Sequence, residues 1–147
     1  MSTDIEILDT EPATEYGGTV HDQLVTVRFS DGTKLGLFDP AMIISSDMIG
    51  SQTAIEISLL TSPEHINQIG EINQGISPDT KRPMFWQSHV YSGYISEKDM
   101  SGEFTDLILD IGFGTVHTRL RSDEVAELSP DDALQIEATR SDIDRII

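Results

Sequence analysis

Residues 81 to 94, KRPMFWQSHVYSGY, hold the side chains best suited to touching a ligand. Two of the chain's nine cationic residues, its single tryptophan and two of its three tyrosines fall here. Aromatic rings on an exposed strand can stack on bases, at about 1 to 3 kcal/mol each, while neighbouring cations hold phosphate. The same residue types also fill the centres of protein interfaces. Arg119 and Arg121, on a later segment, extend the patch. The candidate contact residues are therefore Lys81, Arg82, Phe85, Trp86, Tyr91, Tyr94, Arg119 and Arg121. Strand alternation places Trp86, Val90 and Tyr94 on one face and Phe85, His89, Tyr91 and Ile95 on the other. Both faces carry large apolar groups, so at least one belongs to a core. The simplest structural reading is a core strand behind a loop.

Other reactive residue types are scattered. His21, His65, His89 and His117 lack the spacing that would put two on one face of one element. His89 and His117 sit on predicted strands, and with Asp110 or Glu103 they could meet around a metal. Nothing in the sequence sets their relative register, and no metal site or cofactor is assigned. Asp110-Ile111-Gly112-Phe113-Gly114-Thr115 contains Gly-x-Gly, but it runs into a strand-like segment. A phosphate loop needs Gly-Lys-Ser/Thr opening a helix, and the dinucleotide fingerprint needs a third glycine. The acidic turns at Asp131-Asp132 and Asp142-Asp144 lack the glycine and distal glutamate of a calcium loop. There is no cysteine and no nucleophile elbow. No catalytic residue is assigned.

Charge is the dominant signal. Twenty-six acids face nine cations, a net charge of −17. The acids are spread along the chain rather than gathered in a tail. Such a shell repels itself in dilute buffer. At molar salt the screening length falls to about 3 Å. A salt-adapted protein is the expectation. The cytosol is the expected compartment, because cysteine is absent and the acidic amino terminus does not read as a signal peptide.

The elements that must position these side chains are mostly strands. Residues 1 to 18 read as a flexible acidic arm with a short edge strand at Ile5 to Leu8, and 19 to 147 as a single β-rich domain. Leu24 to Phe29 alternate, Asp31-Gly32 turns the chain, and Leu35 and Leu37 return it: a hairpin. Asp39-Pro40 predicts a cap and one helical turn through Ile44. Ile55, Ile57 and Leu59 mark the core face of a third strand. Residues 61 to 83 form an insertion with a short helix at Ser62-Pro63. Residues 104 to 121 read as strand, glycine-rich corner, strand, and a one- or two-turn helix capped by Ser122 follows. A last strand runs through 133 to 140, and Ile143, Ile146 and Ile147 fall at helical spacing. The segments VTVRFSDGTKLGL and ILDIGFGTVHTRL share a pattern of apolar strand, glycine, threonine, strand, too common to establish duplication.

Strands without long helices predict a small antiparallel barrel or sandwich, OB-like and partly open, with two or three short helical insertions. The functional expectation is a binding or assembly module, contacting a protein partner or a second copy of itself. The alternative is single-stranded nucleic-acid binding through Trp86, Tyr91 and Tyr94. An enzyme with an unrecognised site is third. Nothing approaches a membrane span.

Overall fold

Alternation of apolar and polar residues makes this chain almost entirely β. The computed structural model describes residues 2–78 and 89–147. Its strands are β1 (Thr3–Tyr16), β2 (Thr19–Phe29), β3 (Lys34–Asp39), β4 (Gln52–Leu60), β5 (Ile66–Gln68), β6 (Gly75–Pro78), β7 (His89–Ser101), β8 (Phe104–Asp110), β9 (Thr115–Arg121), β10 (Ala133–Ala138) and β11 (Arg140–Ile146). The helical pieces among them are single 3-10 turns at Ser46–Met48, Pro63–His65 and Ser122–Glu124. The fold is the expected OB-like, partly closed β architecture.

One sheet runs through the molecule and curls back on itself. β1, β2 and β3 form a meander, β3 meets β11, β11 pairs with β4, and β4 pairs with β1, closing a five-stranded ring. β7, β8 and β9 form a second meander. It meets β4 through β9 and β10 through β7. β10 continues past Thr139 into β11, so β4 and β11 belong to both halves. The register is palindromic about this shared pair. One row crosses the sheet as Glu11, Leu24, Phe38, Asp142, Ser58, His117, Ile108, Glu97. The hairpins carrying the repeated glycine-threonine pattern thus occupy equivalent places in the two halves.

The core is built from the inward residues of the long strands: Ile5 and Ile7; Val25, Val27 and Phe29; Ile55, Ile57 and Leu59; Tyr91 and Ile95; Leu107 and Leu109; Val116 and Leu120; Leu134 and Ile136. The faces read for β2 and β4 are those observed.

Five expectations change. β1 pairs with β2 from Ile5 to Tyr16, well beyond the short edge strand at Ile5 to Leu8. Its acids stay wet because the distal half projects as a two-stranded ribbon, exposed from Glu11 onward. Asp39 does not cap a helix. Its buried carboxylate accepts from Gln23 Nε2 at 2.8 Å and from the amides of Ile43 and Ile44 at 3.1 and 2.9 Å, folding 40–44 as a loop around it. Ile143 and Ile146 are strand residues of β11 and the Ile147 amide donates to the Ala54 carbonyl, since β4 offers this segment a ladder partner that so short a helix could not outweigh. Ser122 does not cap its turn: it is the first residue of a single 3-10 turn that follows Arg121. The insertion at 61 to 83 contributes β5 and β6, edge strands against β10 and β7.

Candidate functional site

Strand β7 settles which face of the aromatic stretch is core. His89, Tyr91 and Ile95 are buried, while Tyr94 points outward and is 37 % exposed. Tyr91 is fully enclosed, with its hydroxyl 2.6 Å from Ser141 Oγ. Burial raises its phenol far above the ordinary value, partly opposed by that hydrogen bond. Tyr91 is therefore a core residue and not a stacking platform. The alternation of β7 requires one face inward, and on that face Tyr91 lies in the core with its hydroxyl against Ser141 of β11. Lys81, Arg82, Phe85 and Trp86 lie outside the described residues.

The remaining candidates share one surface. Cross-strand rows on the outer face of the second meander run Tyr94–Asp110–Thr115, Asp99–Asp106–Arg119 and Ser101–Phe104–Arg121. The register thus unites Tyr94, Arg119 and Arg121, with carboxylates set between them. Arg119 grips Asp106 as a fork, Nε to Oδ1 at 2.9 Å and a terminal nitrogen to Oδ2 at 3.2 Å. Arg121 Nε lies 3.5 Å from Asp123 Oδ1. The cationic patch is thereby neutralised by its neighbours. Phe104, not singled out from the sequence, is 46 % exposed at the end of this face.

The sequence reading also missed a concavity of about 200 Å³ beside these rows. Glu56, Glu97, Asp99, Asp106 and Asp144 line it with His117 and Arg145, over Ile57, Ile108 and Val116. His117 Nε2 lies 2.9 Å from Asp106 Oδ1, and its Nδ1 lies 3.1 Å from Ser58 Oγ. Ser58 in turn donates to Asp144. The Arg119 fork, with help from His117 and against partial burial, draws the Asp106 carboxyl down to about 2 from 3.8. Arg145 forks Glu56 at 2.8 and 2.9 Å and lowers its pKa. The outward alternation of Thr115, His117 and Arg119 was legible. Their meeting with β4 and β11 was not, because those strands lie far away in sequence.

No pair of histidines is assembled. The row through His117 meets β7 at Glu97, while His89 pairs with Ala138 and Pro78. Among the described residues no group of three or more histidine, aspartate or glutamate side chains is arranged to hold a metal. No described helix is long and apolar enough to cross a membrane.

No family model matches this sequence, and no curated protein matches it. Among solved structures the chain is similar to the cytoplasmic molybdate-binding protein ModG, in a crystal form with molybdate bound. The TM-score is 0.52 at 10 % sequence identity, covering 97 % of this chain and 92 % of that one. At this identity the likeness is one of fold. It agrees with the small, mainly β architecture of this chain.

Proposed function

We propose that this chain is a non-catalytic binding or assembly module of a salt-adapted cytosol, and that the outer face of the β7–β8–β9 meander receives a protein partner, a second copy of the chain included. One observation carries the reading. That face exposes an aromatic ring at each end, Tyr94 and Phe104, beside the guanidinium groups of Arg119 and Arg121. Aromatic and arginine side chains on a sheet are the common anchors of protein contacts. Apolar contact of this kind is strengthened by excluded salt, which suits a body at −17. The similarity to ModG supports binding as the general role. The carboxylates that line this concavity outnumber its cationic groups, so the oxyanion chemistry of that protein is not carried over.

Nucleic acid is the weaker alternative. Tyr91 is buried, and both arginines are engaged by aspartates. Phosphates approaching the face would meet Glu97, Asp99 and Asp110.

The test has two arms, both in molar potassium chloride. Sedimentation of the wild type and of the Tyr94→Ala, Phe104→Asp double variant reads self-association. A photo-crosslinker placed at 104, with one at Asp31 as control, reads a different partner in cell extract. A mass above monomer that the double variant loses, or a crosslink specific to 104, is expected. Monomeric sedimentation together with no position-specific crosslink rejects the reading. An oligonucleotide that perturbs the Tyr94 resonances would install the alternative.

A further inference from the structure

The two halves meet along thin seams. Between β4 and β9 the ladder is a single parallel bridge, Ser58 opposite His117. Thr118 Oγ1 adds one bond, to the Leu59 carbonyl at 3.1 Å. The equivalent seam between β3 and β11 is also a single bridge, Phe38 opposite Asp142. There Arg140 lies 4.4 Å over the Phe38 ring, a cation–π contact whose guanidinium keeps its charge at any working pH. At the matching place in the other half stands an imidazole.

That imidazole sits in a chain of three contacts. Asp106 Oδ1 meets Nε2 at 2.9 Å, Nδ1 meets Ser58 Oγ at 3.1 Å, and Ser58 Oγ meets Asp144 Oδ2. Each contact needs one hydrogen. The serine hydroxyl supplies one. A neutral ring supplies one more, and a doubly protonated ring supplies two. With both aspartates ionised, the neutral ring leaves one contact with acceptors on both sides. Only the imidazolium completes the chain. Because β8, β9, β4 and β11 each contribute one member, the completed chain bonds the second meander to the shared strands.

We infer that His117 is a proton-dependent tie across the β4–β9 seam; its residues lie on the same outer face as the proposed partner contact, but the inference does not rest on that contact. The charged groups around the ring are Asp106 from β8, Arg119 from β9, Glu56 from β4, Asp144 and Arg145 from β11, and Glu97 and Asp99 from β7. Their sum is negative. The tie is complete with a doubly protonated ring and one hydrogen short with a neutral one. The matching Arg140–Phe38 seam does not respond.

The experiment compares wild type with His117→Gln by urea unfolding at about pH 5 and about pH 9, at constant molar potassium chloride. Taking the variant as reference cancels the other histidines and the general acid response. The advantage of wild type in the folded-to-unfolded ratio should be about tenfold or more at the lower pH and should shrink towards none at the higher, the size of a hydrogen bond to a charged group. An advantage that does not change with pH overturns the inference. If His117→Gln fails to fold, nitrogen-15 spectra of the wild-type ring decide. Two ring N–H protons slowed in exchange at the lower pH support the tie, and a ring with one or none there refutes it.

Discussion

Replacing Asp106 by asparagine tests how strongly the concave face is organised by its ion pairs. A carboxyl that releases its proton at about 2 rather than at 3.8 contributes at most about 2.5 kcal/mol to folding at neutral pH. Arg119, the largest cause, has its side chain 62 % exposed, so solvent screening reduces that figure. Asp99 stands directly opposite on β7, and losing one of two facing charges gives back a few tenths of a kcal/mol. The expected cost of Asp106→Asn is therefore about 1 to 2 kcal/mol, measured by urea unfolding at neutral pH and moderate salt. Its direction with pH is set by the lowered pKa. The stabilisation is whole above about pH 4, where the unfolded carboxyl is already ionised, and fades as pH falls towards 2. Wild type and variant should converge over that window. A penalty that persists unchanged at about pH 2 means the loss is packing and not charge, and the electrostatic account of the site fails. No penalty at neutral pH also rejects it.

Gly93→Ala should destabilise by about 2 to 4 kcal/mol, because an added Cβ would lie 2.2 Å from the Asp110 carbonyl oxygen and β7 and β8 would have to part. Gly70→Ala, with nothing within 4 Å, should be neutral or slightly stabilising; equal thermal midpoints for the two variants would contradict the close approach. Circular dichroism in near-pure water and in concentrated potassium chloride should show a weaker, less cooperative fold in water, since every described arginine is already ion-paired and the surplus acids repel unscreened. Equal stability in both solvents would remove salt adaptation from the reading.

Local pattern carried a large part of the fold. The Leu24–Phe29 alternation, the Asp31-Gly32 turn and the returning Leu35 and Leu37 specify a hairpin from neighbours alone, and it formed as read. So did the inward Ile55, Ile57 and Leu59, because a period of two states which residues share a face whatever the partner strand is. The net charge and the lack of cysteine likewise needed no coordinates. What lay beyond the sequence was pairing at a distance. Ile143, Ile146 and Ile147 fit a helix until β4 supplies a ladder, and Tyr91 looked like a binding residue until sheet closure buried it with its hydroxyl against Ser141 of β11. Ser58, His117, Asp106 and Asp144 come from four strands, and no local rule says that those strands meet. Side-chain direction is decided within a few residues by backbone sterics. Which strands lie side by side is decided by the closure of the whole sheet, and the candidate site exists only because that closure brings β4, β8, β9 and β11 together.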